Sequence, residues 1–358
     1  MSILMIITTA LITLAVVVIL ITKLHLRGQN LSNYNTPAPV TFDTPEPSDA
    51  IQKMNDFLSN EFTFGEGLSA KRKRFNTNGS SRDYDCEFQE DVAVYNGLNV
   101  PGEWTIPKGA DTSKRMLYLH GGGFTVGSPI SHRPITTNIA KRTGCVVFAP
   151  DYRLMPENPR IASIHDSRTS YLWLLENGPE GKNTTTKIAV GGDSAGGNLT
   201  LSLCNWLRDQ KHRLPDAVIA ISPSTDSTVS SPSIRGNYET DIMLKPLIGP
   251  MLKIPNGLLL WLMWKANKIA PSSTLISPVH DSLHDLPPTL VHASTAEMLF
   301  DDAVRYVNKA KAHGSPVEFQ SWAHMCHVWH IFDEKLPEAH HALDEIAAFM
   351  HKNGFAEA

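Results

Sequence analysis

Four stretches of the chain hold residue types that could do chemistry together. The first is "GGDSAGG", residues 191–197, with the spacing Gly192-x-Ser194-x-Gly196. A serine exposed on a sharp strand-to-helix turn needs small residues two before and two after it, because the turn leaves no room for side chains there. The apolar "KIAV" precedes this serine and a helical pattern follows it, so Ser194 reads as a nucleophile rather than as part of a plain glycine-serine turn. The second stretch is "HGGGF", residues 120–124, at the end of the apolar run "RMLYLH". Three glycines let backbone N–H groups approach a reacting atom, which suits an oxyanion hole. The N–H groups of Gly122 and Gly123, with that of Ala195 after the nucleophile, are the expected donors. A phosphate loop is the weaker reading, since neither G-x-x-x-x-G-K-[ST] nor G-x-G-x-x-G lies here.

A serine nucleophile needs a base and a group to orient it. The chain has fifteen histidines, so a lone histidine carries little information. Three cluster in "AHMCHVWH": His324, His327 and His330. They follow the last expected strand, the position of the base in serine hydrolases with this chain order, and the residues alone do not choose among them. The orienting acid must come after the serine and before that histidine. "STAEMLFDDA", residues 294–303, offers Glu297, Asp301 and Asp302 just past the strand "TLVHAST". Asp301 and Asp302 begin the helix "DDAVRYVNKA", where capping and the helix dipole already account for them. Glu297 sits earlier, in the turn, where its side chain can reach the histidine. The chemistry so assembled is acyl transfer to water. It calls for no metal and no cofactor, and the four cysteines, Cys86, Cys145, Cys204 and Cys326, contain no C-x-x-C pair that would suggest zinc or thiol redox work.

The elements that must position these residues alternate from about Met116. Expected strands are "RMLYLH", "CVVFAPDY", "KIAVGGD", "DAVIAISP", "TLVHAST" and "PVEFQSW". Helical patterns separate them, among them "SYLWLLEN" closed by Asn177-Gly178, "GNLTLSLCNWLRDQ", "DDAVRYVNKAKAHG" and a closing "HHALDEIAAFMHKNG". Strands separated by helices make an α/β fold with a mostly parallel sheet. Residues 233–270 break the alternation with "LIGPMLKIPNGLLLWLMWKANKIA", apolar and helical. As an insertion over the carboxyl edge of the sheet it would form a lid whose Leu, Trp and Met side chains line an apolar pocket; ordinary helix packing is the competing reading.

The amino-terminal stretch is of another kind. Residues 3–22 carry no charge, and about twenty apolar residues are what a helix needs to cross a bilayer. A cleaved signal would show a basic start, a shorter apolar run and a small-residue cleavage site. A buried core helix rarely stays apolar so long. The expectation is therefore a transmembrane anchor over 3–22, a proline-rich spacer over 23–47 containing "TPAPVTFDTPEPS", and a catalytic domain over 48–358. Lys23 and Arg27 follow the apolar run and nothing basic precedes it, which places the domain in the cytoplasm by the positive-inside rule. Net charge of −4 and the lack of a basic stripe argue against nucleic acid as a partner. The run Lys71-Arg72-Lys73-Arg74 reads as a solvated face or loop.

Five motifs in order carry a resemblance: "HGGGFTVGSPISHRP", "DYRLMPENP", "GGDSAGGNL", "SPVHDSLHDLPPTL" and "AHMCHVWHIF". From about residue 95 to its end the sequence resembles the hormone-sensitive-lipase-like family of α/β-hydrolase esterases, which includes arylacetamide deacetylase relatives. The resemblance implies an α/β-hydrolase fold with a helical cap, built from the segment near 48–75 and the 233–270 insertion. The family's P-G-M-x-H-x-F pattern falls on residues 323–329, which implies that His327 is the base; His324 stands where glycine is usual. In the family's D-P-L-x-D pattern the acid precedes a second Asp by four residues, a spacing that Glu297 and Asp301 keep. The implied activity is hydrolysis of short to medium acyl esters by Ser194, Glu297 and His327. Arylacetamide-type amide hydrolysis and a non-catalytic receptor of the gibberellin-receptor type are the alternatives; in the latter the triad histidine is replaced, whereas here His327 is present. Arylacetamide deacetylase relatives face the ER lumen, opposite to the charge-based expectation. One departure is at the pocket edge, where Pro159-Arg160-Ile161-Ala162 replaces the usual Pro-Phe-Pro-Ala.

Overall fold

The computed structural model describes residues 3–36, 39–61 and 67–355. Its centre is an eight-stranded sheet: β1 (Cys86–Tyr95), β2 (Leu98–Pro107), β3 (Asp111–Leu119), β4 (Cys145–Pro150), β5 (Lys187–Asp193), β6 (Ala217–Ile221), β7 (Thr289–Ser294) and β8 (Val317–Trp322). In space they run β1-β2-β4-β3-β5-β6-β7-β8. β1 and β2 pair antiparallel, as do β2 and β4, and all other pairs are parallel.

The central strands are apolar on both faces because helices cover both. Leu117, Leu119, Val146, Phe148 and Val190 face one side, with α5 (Arg160–Leu174) and α6 (Ala195–Asp209) packed on them. Met116, Tyr118, Val147 and Ala189 alternate to the other side, under α4 (Arg133–Thr143) and α11 (Pro337–Met350). Each large side chain so buried contributes about 1.5–3 kcal/mol. Parallel strands put their carboxyl ends on one edge. The ends of β3, β5, β7 and β8 therefore bring His120–Gly123, Ser194, Glu297 and His327 to the same rim of the sheet.

The antiparallel β1–β2 hairpin and α4 lie outside the expected alternation. The hairpin had a legible signal: Asn96-Gly97 with φ of 48° and 78° makes the two-residue loop, the strongest short-range hairpin signature in a sequence. Helix α5 stops at Leu174, and Asn177-Gly178 does not cap it but pairs antiparallel with Gly181 and Lys182. α10 (Phe300–Ala312) begins without a side-chain cap. All four cysteines are free thiols.

At the amino-terminal side, α1 (Ile3–Ile21) continues as a wider turn of helix over Thr22–Leu26. The stretch Met5–Leu26 is long and apolar enough to span a membrane and is almost entirely unburied by the rest of the chain. The residues after it are not the free spacer expected over 23–47. Gln29 donates to the carbonyl of His280 at 2.9 Å, Arg305 Nε to Asn35 Oδ1 at 2.6 Å, and Asn308 to the carbonyls of Tyr34 and Thr36 at 2.9 Å. Phe42 stacks on Trp322 with ring centres 3.8 Å apart. Leu26, Leu31 and Phe42 punctuate this strap, and each finds an apolar seat on the domain.

Helix α2 (Asp49–Glu61) packs Ile51, Met54 and Leu58 under the loop after β8, against Trp329 and Leu336. α3 (Leu68–Ser80) and the insertion helix α8 (Lys245–Leu252) lie over the rim, whereas α7 (Ser233–Gly236) is tied to α10 through Asp301 and α9 (Asn256–Asn267) packs against the residues that follow α1. The basic run is on α3 and is not merely solvated: Arg72 forks onto Glu157 at 2.8–2.9 Å and donates to the carbonyls of Thr125 and Met155.

Candidate active site

Ser194 caps the end of β5 at φ 52°, ψ −113°, a left-handed conformation that a side chain adopts only under local constraint. The constraint is visible. The Ser194 N–H donates to the Ile221 carbonyl at 2.8 Å. A Cβ on Gly192 would meet the Leu119 carbonyl oxygen at 2.4 Å, and one on Gly196 would meet it at 1.8 Å. Only glycine fits at either position, so the strand and helix are drawn together around the serine.

The "HGGG" turn is held from below. Gly121 N–H donates to Asp193 Oδ1 at 3.0 Å, and the Thr125 and Val126 N–H groups close back on the Gly122 carbonyl. Gly122 and Gly123 sit at φ 111° and 59°. Among the described residues, no hydrogen bond in this turn uses the N–H of Gly122 or Gly123. Asp193 is fully buried and also accepts from Tyr118 Oη at 2.9 Å. Burial alone would push its carboxyl up, but the neighbouring His132 and the Tyr118 bond hold it below the usual carboxylate range. Asp193, Tyr118 and His132 were not singled out in the sequence; the "GDS" triplet was the available signal for the first.

Of the three clustered histidines, one lines the same cavity as the serine. His324 Nε2 bonds the Thr44 carbonyl at 2.9 Å, and His330 Nε2 lies 3.0 Å from Nδ1 of the buried His292. His327 Nδ1 lies 2.6 Å from Glu297 Oε2, and among the described residues its buried Nε2 has no hydrogen-bond partner. A carboxylate only accepts, so the ring proton belongs on Nδ1 and Nε2 presents a lone pair. Burial is the largest influence and opposes charge on this imidazole, but the bond to Glu297 and the negative charges of Glu297, Asp241 and Asp193 together outweigh it and raise the pKa.

The three carboxylates separate cleanly. Glu297 is fully buried and its other oxygen accepts the Ser294 N–H at 2.7 Å. Asp301 Oδ2 accepts the Ser233 N–H at 2.7 Å, and Asp302 accepts the N–H groups of Thr225 and Asp226 at 2.8 and 2.9 Å. These two tie α10 to the 225–233 loop instead of capping their own helix, because that loop brings unpaired N–H groups to them. Asp241, on the insertion, accepts from the N–H groups of Leu244 and Met298 and so joins the start of α8 to the turn that carries Glu297.

Ser194, His327, Gly122, Gly123 and Ala195 line one cavity of about 590 Å³. Its walls are mainly apolar: Phe75 from α3, Phe124 and Val126 from the glycine turn, Leu244, Leu247, Ile248 and Met251 at α8, and Leu299. The insertion does cover the site, but through α8. The tryptophans of "LLLWLMW" lie on α9 and pack elsewhere, Trp261 donating to Thr22 Oγ1 at 2.8 Å. The departure at residue 160 lies behind the wall. Arg160 is buried, stands 3.6 Å over the Phe124 ring and donates to Asn198 Oδ1 at 2.8 Å.

Residues 116–331 match a protein family described as alpha/beta hydrolase fold. Over 249 residues the chain is 34% identical to an acetyl-hydrolase of Streptomyces hygroscopicus, an alignment covering 69% of this chain and 78% of the relative. Among solved structures it is similar to an esterase from the bacterial hormone-sensitive lipase family, with a TM-score of 0.73 and 31% identity over 86% of this chain and 99% of the other. It is also similar to EstE5 in a crystal soaked with p-nitrophenyl butyrate, with a TM-score of 0.72 and 29% identity over the same shares.

Proposed function

The chain belongs to the hormone-sensitive-lipase-like family of α/β-hydrolase esterases and is a carboxylesterase-type hydrolase; from that premise we propose that it cleaves short to medium acyl esters through Ser194, Glu297 and His327. The observation that carries this is the 2.6 Å bond from His327 Nδ1 to Glu297, made while Nε2 stays unpartnered in the cavity that Ser194 lines.

In this reading Ser194 Oγ attacks the ester carbonyl carbon as His327 Nε2 takes its proton. The carbonyl oxygen becomes an oxyanion that accepts from the N–H groups of Gly122, Gly123 and Ala195. Each such donor contributes about 3–4 kcal/mol to the transition state. Collapse breaks the ester C–O bond, and His327 returns the proton to the leaving alcohol. Water then repeats the attack on the acyl-serine with His327 again as base. Glu297 keeps the tautomer and stabilises the imidazolium throughout. No cofactor takes part.

Short to medium chains are supported by the cavity, whose volume of about 590 Å³ suits a small ester better than a long-chain triglyceride, and by the p-nitrophenyl butyrate soak of the similar EstE5. The test is a hydrolysis screen over p-nitrophenyl esters of graded acyl length, with long-chain triglycerides and an aryl amide alongside. A kcat/KM peak at long-chain triglycerides, or faster cleavage of the amide than of any ester, would overturn the assignment.

The amino-terminal helix serves in the same proposal as a retained membrane anchor, not a removed signal. The support is that the residues just after it are bound to the domain: Leu26 is buried against Leu260, Trp261 donates to Thr22, and Ser272 donates to the His25 carbonyl at 2.6 Å. Lys23 and Arg27 at the exit of the span favour a cytoplasmic domain, and protection of the domain from protease in sealed, oriented vesicles would reverse that orientation.

A further inference from the structure

Helix α9 belongs to the cap insertion, yet none of its residues lines the active cavity. It is apolar almost all round, "NGLLLWLMWKAN", yet Leu258 is 54% and Leu262 is 46% exposed. An apolar helix left bare in water calls for an occupant. Its position names one. Trp261 bonds Thr22 at 2.8 Å and Trp264 meets His25 edge-on at 5.4 Å, so α9 lies against the last turns of the apolar amino-terminal helix. The 22 residues of Met5–Leu26 would extend roughly 33 Å as a helix, against about 30 Å of hydrocarbon. Thr22 then lies near the boundary between acyl chains and headgroups, and α9 with it. Tryptophans are favoured at that depth.

The charges agree. The whole chain is at −4, but no Asp or Glu occurs in residues 3–42 or 242–280, the two segments that meet here. Lys23, Arg27, Lys253, Lys265 and Lys268 are exposed and make no ion pair among the described residues. Between the end of α1 and α9 a crevice of about 680 Å³ has walls of Val18, Ile19 and Leu258, with Lys23 and Arg27 beside them. An apolar slot beside two free cations is complementary to a phospholipid, with acyl chain and anionic head.

We propose that α9 lies in the headgroup layer of an anionic membrane, with Leu258 and Leu262 among acyl chains and its lysines, Lys23 and Arg27 against lipid phosphates. The cap of the esterase is then docked on the bilayer instead of standing free in water. This rests on the reading of the amino-terminal helix as a membrane span. Basic residues at such a surface act through anionic lipid and lose effect in its absence.

The test uses the full chain reconstituted into phosphatidylcholine vesicles with and without phosphatidylglycerol. Cys86, the one cysteine that is not buried, is replaced by serine, and a nitroxide is placed on L258C, on L262C and on V92C, the last an exposed site on edge strand β1. Turnover of p-nitrophenyl butyrate checks that each variant is folded. The expected result is a several-fold lower collision rate with a water-soluble nickel chelate at 258 and 262 than at 92, with the reverse order for oxygen. K265E with K268E should weaken that protection in vesicles containing phosphatidylglycerol and leave it unchanged in phosphatidylcholine alone. Labels as wet at 258 and 262 as at 92, in protein that resists alkaline carbonate extraction, overturn the proposal and leave the anchor standing. Spin–spin broadening between copies would assign the face to self-association and overturn it too. Release by carbonate overturns the anchor reading and this inference together.

Discussion

Glu297 binds His327 Nδ1 through one oxygen at 2.6 Å and its own turn, at the Ser294 N–H, through the other at 2.7 Å. Both oxygens are spent, so the carboxylate can neither rotate nor drift, and the imbalance created by an amide is calculable. Glu297→Gln keeps the shape but turns an acceptor into a donor toward one of these groups. kcat should fall by about 10²–10⁴-fold with little change in thermal stability. Asp301→Asn removes the charge from a bond to the Ser233 N–H and should cost about 1 kcal/mol of stability with kcat nearly unchanged. Steady-state kinetics and thermal unfolding of the two variants check this, and the opposite ranking would transfer the acid role to Asp301.

The same bond sets a pH dependence. Turnover needs neutral His327, so kcat/KM should fall as pH drops through its raised pKa. With Glu297→Gln the stabilisation of the imidazolium is lost, and the acid limb should move to lower pH. The sign for stability is the reverse: a pKa raised on folding adds stability that is full below the unfolded value and is lost as pH rises through the folded one. An unshifted acid limb in the variant would detach Glu297 from the base.

Ser194→Ala should abolish ester turnover while leaving the fold intact. The turn holds residue 194 at φ 52° through its backbone, and among the described residues no side-chain hydrogen bond of Ser194 supports it. Circular dichroism and unfolding should match the native chain. More than a trace of p-nitrophenyl ester turnover in the purified variant would remove Ser194 from the mechanism.

What could be read from the sequence was local. The glycines around Ser194 and at 121 and 122 announce close approaches that no other residue allows, and the structure has them as contacts of 1.8 to 2.4 Å for a hypothetical Cβ at 121, 122, 192 and 196. Central strands were legible because they are apolar on both faces. The β1–β2 hairpin was missed because β1 is largely exposed and polar and β2 carries Pro101, Gly102 and Glu103 in its middle, so apart from Asn96-Gly97 neither reads as a strand. Contacts between distant segments left no local trace. Nothing near residue 241 says that Asp241 will reach the Met298 N–H, and nothing in the proline-rich strap says that Phe42 will stack on Trp322. Choosing His327 over its two neighbours also took more than spacing, since all three histidines turned out to have partners and only the identity of those partners separates them.

Arg160 gives a prediction about the pocket wall. Its guanidinium lies 3.6 Å over the ring of Phe124, which lines the cavity, and is fixed by Asn198 and Ser163. Arg160→Ala removes a desolvated cation–π contact of about 2 kcal/mol and frees Phe124 to turn. KM for p-nitrophenyl butyrate should rise by roughly 10-fold or more, with a smaller effect on kcat, and Tm should fall. Unchanged KM with a lowered Tm would make Arg160 a purely structural residue.

Asp302 makes a prediction of opposite sign to that of most buried acids. It is fully buried, and burial together with the nearby Asp226 pushes its carboxyl pKa up. Asp226 stays the ionised partner, held down by His280 at 3.2 Å and by the hydroxyls of Thr228 and Ser230. Asp302 therefore keeps a proton in the folded state at pH values where the unfolded chain has lost it. The native state binds more protons than the unfolded one over that window, so stability falls as pH rises from the ordinary carboxylate range to the raised value. Asparagine reproduces the protonated form: its oxygen can accept the Thr225 and Asp226 N–H groups and its amide can donate to Ser231 Oγ, the partner of Asp302 in the native chain. Asp302→Asn should be close to the native chain in Tm at pH 5 and should gain on it at pH 8. Thermal unfolding of both proteins at the two pH values gives the difference directly, free of the other titrating groups. A variant that loses more at pH 8 than at pH 5 would mean that Asp302 is ionised in the folded state and that its charge is an asset there.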